Sequence, residues 1–141
     1  MAILNNIVLR GFRSIKDASL ELRSLNVLIG SNGAGKSNLI SFFKLLNEMM
    51  GGRLQEFIAT SGRAQSILYF GPKVTSQIEA RLDFDVDNAR DTYEMRLFYG
   101  AGDTLVFAEE TLRFHKPGYP TPMELSLGTG HLESRIRDKA D

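Results

Sequence analysis

The sequence predicts an α/β fold of α+β character, in which one strand–loop–helix unit is set among antiparallel strands. Three patterns lead there. Leu25, Val27, Leu28 and Ile29 form a nearly unbroken apolar run, as in a strand buried on both faces. Gly30, Gly33 and Gly35 follow, and then an apolar stripe at helical spacing formed by Leu39, Phe42, Phe43, Leu46 and Met50. After Ser66 the period changes to two. Residues 77–87, 92–99 and 104–115 alternate apolar and polar side chains between short turns, the pattern of an antiparallel meander. A doubly wound parallel sheet would instead alternate strands with helices.

In chain order, residues 3–10 form a first strand, Gly11-Phe12-Arg13-Ser14 a turn, and residues 17–22 a second strand with one wet face. The buried strand 25–30 leads through the glycines into the main helix, which Gly51-Gly52 stops. Residues 53–60 suit a short second helix, and Ile67–Phe70 a short strand ended by Gly71-Pro72. Asn88 and Gly100–Asp103 turn the meander, the proline-rich loop 117–122 closes it, and residues 129–139 suit a polar helix.

Length and composition fit one domain with a real core: 141 residues, 43% hydrophobic, 24% charged. Seventeen basic residues balance seventeen acidic ones, so no global field favours nucleic acid or a membrane surface. The absence of cysteine excludes a disulfide framework and suits a reducing, cytoplasmic setting. No apolar run approaches the ~18 residues of a membrane span. Asn5, Asn6 and Arg10 break up the N-terminal apolar segment, so it is no signal sequence.

The chemistry concentrates at Gly30-Ser31-Asn32-Gly33-Ala34-Gly35-Lys36-Ser37, which reads G-x-x-x-x-G-K-S between a strand and a helix. That is the phosphate-binding P-loop, or Walker A. Glycines let successive backbone N–H groups face inward around phosphate oxygens. The following helix start adds unpaired N–H groups and the positive end of its dipole. Lys36 is expected on the β- and γ-phosphates and the Ser37 hydroxyl on Mg²⁺, so ATP and Mg²⁺ are the expected ligands.

The N-terminal third resembles the first lobe of ABC-type ATPases of the RecF and SMC group, and their smaller relatives described as AAA-type or OLD-related predicted ATPases. The resemblance rests on Gly11-Phe12-Arg13-Ser14-Ile15-Lys16, on Leu25-Asn26-Val27-Leu28-Ile29-Gly30, and on Gly35-Lys36-Ser37-Asn38-Leu39. Leu127–Ser134 adds a weaker likeness. It implies a P-loop NTPase N-terminal lobe with an antiparallel β-arm, an incomplete fold of this class. Residues 1–65 would be the nucleotide-binding core, 66–128 the arm, and 129–141 the start of a helical insertion. It also implies that Arg13 lies near the phosphates, that Asn38 belongs to the loop, and that two heads dimerise around ATP. Nucleic acid is a partner of some members. The family's Q-loop glutamine has two candidates here, Gln65 and Gln77, neither in a recognisable setting.

Hydrolysis in that family also needs a signature motif and a strand-borne Walker B acid followed by a glutamate. The best mimic, Leu105-Val106-Phe107-Ala108-Glu109-Glu110, has Glu for Asp and lies within the meander. The signature-like Leu125-Ser126-Leu127-Gly128-Thr129-Gly130 follows it rather than preceding it. No catalytic residue is therefore assigned. The sequence reads as the ATP-binding part of a longer ATPase whose second half supplies those groups. The alternative is a non-catalytic interaction module or remnant that binds nucleotide weakly or not at all. Asp83, Asp85 and Asp87 read as a solvated strand face rather than a metal site, His115 and His131 lack zinc spacing, and Arg135, Arg137 and Lys139 read as a solvated helix face.

Overall fold

A computed structural model describes residues 2–22 and 36–136. The expected strand 25–30 and the loop Gly30–Gly35 lie outside the described residues. Among the described residues, six strands make one sheet in the order β2-β1-β3-β4-β5-β6, every neighbouring pair antiparallel. They are β1 (Ala2–Phe12), β2 (Ile15–Glu21), β3 (Gln77–Val86), β4 (Ala89–Gly100), β5 (Thr104–His115) and β6 (Met123–Gly128). Helices α1 (Lys36–Met50), α2 (Leu54–Thr60) and the single turn α3 (Ala64–Ile67) separate β2 from β3. The meander β3–β5 is as the alternation predicts, and β1 pairs directly with β3, so the strands before and after the helices share one sheet.

Alternation sorts the side chains onto two faces. Ile7 and Leu9 of β1, Ile78 and Leu82 of β3, Met95 and Leu97 of β4, and Leu105 and Phe107 of β5 are buried on one face. Phe42, Leu45 and Met49 of α1 complete this core with Leu54 and Ile58 of α2. Phe12 meets Phe42 edge to face at 5.7 Å. The stripe that α1 buries is therefore Leu39, Phe42, Leu45 and Met49. Phe43 and Met50, expected on it, are exposed along with Ile40. The helix carries apolar residues on two sides, and the spacing alone does not say which side meets the sheet.

The opposite face is charged, with acids and arginines on neighbouring strands. Arg10 reaches Asp17 at 3.2 Å and Glu79 at 3.4 Å, and Arg81 contacts Asp83 at 3.3 Å and Glu94 at 3.9 Å. Arg96 pairs with Glu109 at 2.9 Å, and Arg113 with Glu124 at 2.9 Å and with Glu94. Such half-exposed pairs add little stability each, but the alternation of sign across strands favours this register over a slipped one. Asp83 departs from the expected solvated row. It is only 5% exposed, accepts hydrogen bonds from Thr92 Oγ1 at 2.7 Å and Asn6 Nδ2 at 3.3 Å, and bonds Arg81. Burial alone would raise its pKa. The hydrogen bonds from Thr92 and Asn6 and the charge of Arg81 outweigh that and hold it below the ordinary carboxylate value.

Three further expectations are corrected. Residues 67–70 are not a strand: Ile67 ends α3 and Leu68 makes an isolated bridge to Phe12. Four apolar residues are too few for periodicity to separate a helical turn from a strand. Met123–Gly128, passed over after the proline-rich loop, is the edge strand β6. The described part of 129–139 is not a helix. Gly128 and Gly130 have φ of 110° and 79°, and the Arg135 N–H is drawn to Glu110 rather than into a helical ladder.

Candidate functional site

Lys36 and Ser37 open α1, and the first turn of that helix is tied to the β1–β2 turn. Asn38 Nδ2 donates to Ser14 Oγ at 2.5 Å. The neighbouring Arg13 adopts φ 50°, and its N–H donates to the Ile67 carbonyl at 2.6 Å, which fixes the turn against the end of α3. Its guanidinium carbon lies 5.8 Å from the centre of the Phe12 ring, and its Nε is buried with no partner among the described residues. A buried donor left unpaired costs free energy, so an acceptor brought here is favoured. Ser37 is exposed, so its hydroxyl is open to a ligand.

Arg13 and Asn38 border an open cleft of ≈ 710 Å³, lined also by Gln65, Leu68, Phe70 and Lys73. Among the described residues, Arg13 and Lys73 are the only charged ones that line it, and no acid does. With the positive end of α1 at the same place, the cleft favours anions. Its far wall, residues 68–75, is held by backbone. The Tyr69 N–H donates to the Gly11 carbonyl at 2.9 Å, the Thr75 N–H to the Gly71 carbonyl at 2.9 Å, and Thr75 Oγ1 to the Tyr69 carbonyl at 2.5 Å. Gly11, at φ 79°, lets this wall approach: a Cβ there would stand 2.5 Å from the Gln77 carbonyl oxygen.

Arg13 and Asn38 thus line one cleft at the start of α1. Gly30, Ser31, Asn32, Gly33, Ala34 and Gly35, and the Lys36 side chain, lie outside the described residues. The two glutamines separate cleanly. Gln65 lines the cleft, while Gln77 bonds Glu79 at 2.8 Å and Arg96 at 3.3 Å beyond it. Lys73 and Phe70 were not singled out in the sequence. Gly71-Pro72 marks the turn that presents them, but a turn signal does not say what its residues face.

A second cluster has a different character. A bulge in β5 leaves Ala108 unopposed, since Arg96 pairs with Glu109 and Leu97 with Phe107. That shift inverts the alternation. Glu109 goes to the charged face, and Glu110 enters the core at 0% exposure. There its carboxylate accepts from Tyr93 Oη at 2.5 Å, His131 Nε2 at 2.8 Å, the Arg135 N–H at 2.9 Å and Ser134 Oγ. His131 stacks on Phe107 with ring centres 4.6 Å apart. Because a carboxylate only accepts, Nε2 carries the proton, and Nδ1 is buried without a partner among the described residues. Burial first, and then the Glu110 charge, push the Tyr93 hydroxyl far above its usual pKa, so it remains a donor. Close by, Glu133 accepts from the first N–H groups of α2, Leu54 at 2.6 Å and Gln55 at 3.0 Å.

Neither acid of the Walker B mimic can serve as one. Glu109 pairs with Arg96 on the charged face. Glu110 has four donors on its two oxygens. The same Tyr93 hydroxyl lies 4.0 Å from Met49 Sδ, near the last turn of α1. Thirteen residues separate Met49 from Lys36, about 20 Å along the helix at 1.5 Å per residue. Among the described residues no group of His, Asp and Glu could hold a metal ion, and no helix is long and apolar enough to cross a membrane.

An antiparallel sheet backs a helix that begins Lys-Ser, with a cleft at that end lined by no acid among the described residues, in one α/β domain. The sequence profile of the family described as "AAA ATPase domain" matches residues 1–100, from β1 through β4, and the chain belongs to that family. It is accordingly a nucleotide-binding domain of ATPase type. No curated protein matches it.

Proposed function

We propose that the chain binds MgATP through Gly30–Asn38 and Arg13, as the ATP-binding lobe of a RecF/SMC-like, ABC-type P-loop ATPase. The observation that supports this best is Arg13: a buried Nε with no partner among the described residues, in a turn bonded to the first turn of α1. In this reading the backbone of Gly30, Ser31, Asn32, Gly33, Ala34 and Gly35 cradles the phosphates, Lys36 adds a point charge, and Arg13 and Asn38 close the side facing β1. Ser37 would hold Mg²⁺, which when bound neutralises phosphate charge. Residues 1–65 are the core of the lobe, 66–128 its β-arm and 129–141 the lead into an insertion. The exposed Ile40, Phe43 and Met50 on α1 are what a helix lying between two layers would carry.

Hydrolysis in this scheme draws on a Walker B acid and a signature motif outside the described residues, with two heads closing on ATP. Cytoplasmic location and a nucleic-acid partner belong to the same proposal. Binding of a fluorescent ATP analogue tests its first step. Lys36→Ala should abolish binding, and unchanged affinity would mean that the loop is not the phosphate site. A second reading, a module without catalysis, has one observation in its favour: both candidate acids are already engaged. Steady-state turnover by this chain above a Lys36→Ala control would exclude it and show that the chain supplies its own water-activating group.

A further inference from the structure

The cleft at the start of α1 is lined by two unlike kinds of group. Arg13, Asn38, Gln65 and Lys73 supply donors and charge, whereas Leu68 and Phe70 supply apolar surface. Phe70 is the unusual member. It is 76% exposed, the highest value among the exposed large hydrophobic side chains of the described residues. It also holds φ 54°, a left-handed conformation that an aromatic residue adopts only at a cost of about 1–3 kcal/mol. An apolar ring kept in water by a strained backbone gains nothing for folding. Yet the strain is firmly maintained. The Gly71 N–H donates to the Leu68 carbonyl at 3.0 Å, the turn is pinned to β1 through Tyr69, and the Tyr69 ring meets the Phe70 ring edge-on at 4.6 Å and 88°. At 76% exposure the Phe70 ring keeps a face open for stacking.

From this geometry we infer that Phe70 is the platform on which the base of the bound nucleotide stacks. The inference rests on the proposed phosphate site at α1 and adds what that site takes beyond phosphate: a nucleoside triphosphate held at both ends. The volume fits, since pockets for ligands of this size span roughly 300–1,000 Å³. The chemistry fits as well. The phosphates meet Arg13 and Lys73, with no acid among the described lining residues, and a flat π-surface meets an exposed aromatic ring. A preformed platform costs little ordering on binding, because the turn is already fixed. Gln65, on the same cleft, is placed to meet polar groups of the nucleoside.

The test separates the base from the phosphates. Stacking of a base on an aromatic side chain contributes enough that Phe70→Ala should weaken MgATP binding about 5- to 100-fold. Affinity for Mg-tripolyphosphate, which has the phosphates and no base, should change less than about twofold, a difference too small for a lost stacking contact. The chain has no tryptophan, so Phe70→Trp introduces a single reporter that should restore ATP affinity. Its fluorescence should be quenched by MgATP and left unchanged by Mg-tripolyphosphate. Phe70 is exposed, so neither substitution should alter the unfolding transition. Equal affinity of wild type and Phe70→Ala for ATP, or equal loss for both ligands, overturns the platform. So does indole emission of the Phe70→Trp variant that is indifferent to ATP. The phosphate site is judged separately by Lys36→Ala. If tripolyphosphate binding depends on Lys36 while ATP is indifferent to Phe70, the site stands and the platform falls. If tripolyphosphate binding is absent or indifferent to Lys36, the phosphate site itself is wrong, and the platform falls with it.

Discussion

Removing the Glu110 carboxylate is the most informative single perturbation of this fold. Four donors converge on it: Tyr93, His131, Ser134 and the Arg135 N–H. Tyr93 and His131 are themselves buried, so they cannot simply turn to water. At about 1–3 kcal/mol for each buried donor orphaned, Glu110→Ala should lose about 3–5 kcal/mol, the range for breaking a buried charged contact. Domains of this kind have only about 5–15 kcal/mol in hand. Glu110→Gln should be much milder, about 1–2 kcal/mol. The amide oxygen can still accept from His131 and Arg135 N–H, and the Tyr93 and Ser134 hydroxyls can rotate to accept from its NH₂, so mainly the charge is lost.

Urea unfolding of both variants measures this, read as a fall in midpoint at constant slope. A cost below about 1 kcal/mol for Glu110→Ala, or equal costs for the two variants, would refute the four-donor account. The same proteins decide the Walker B question. Glu110 bonds the Tyr93 hydroxyl beside Met49, about 20 Å along α1 from Lys36, so Glu110→Gln should bind ATP as wild type does. A Glu110→Gln protein with native stability and altered ATP affinity would place the acid at the nucleotide after all.

Two further outcomes follow from the backbone and from titration. Gly11→Ala should cost at least about 2 kcal/mol, because φ 79° is strained for alanine and the new Cβ would meet the Gln77 carbonyl oxygen at 2.5 Å and Thr75 Cγ2 at 2.9 Å. Thermal unfolding reads it, and a neutral result would show that the wall at residues 68–75 moves freely. Asp83 has a lowered pKa in the fold, so it contributes stability above its unfolded value near 3.9 that is lost as pH falls through the folded value. Asp83→Asn should therefore be less stable at neutral pH and less sensitive to acid below about pH 4, as checked by denaturation midpoints from pH 2 to 7. Parallel acid limbs for the two proteins would remove Asp83 as a titrating contributor.

Whatever depends on strict periodicity was readable from the chain. β3 and β4 alternate along their length and β5 does so up to its bulge, and all three lie where the sequence pattern puts them. The resemblance drew attention to Arg13 and Asn38, on the β1–β2 turn and on α1, but nothing in spacing joins Ser14 to Asn38, 24 positions on, which the structure bonds together. What was hidden depends on a change of phase. One extra residue at Ala108 decides which of two adjacent glutamates is buried, and no local signal marks a bulge there. The segment 129–136 was misread for a related reason. Its polar residues, which suggest a solvated helix, are individually consumed: His131 and Ser134 by Glu110, Glu133 by the start of α2. Polarity in a sequence does not distinguish a side chain facing water from one facing a buried partner.

The net charge of zero is the composition figure most easily misjudged, because it averages over a sharply sorted molecule. Glu79, Glu94, Glu109 and Glu124 are matched to arginines on the open face of the sheet. Glu110 is sunk among donors in the core, Glu133 sits on the first N–H groups of α2, and Asp103 accepts from the Gln65 N–H at the start of α3. None of these acids lines the cleft at the start of α1, where Arg13 and Lys73 are left with no carboxylate among the described lining residues. At short range a cation without a counter-ion counts for more than a distant balance of charge, since exposed charges beyond about 10 Å are screened at ordinary salt. An overall neutral chain thereby presents, among its described residues, a cationic recess lined by no acid, set at the helix end where the sequence carries Gly-Lys-Ser.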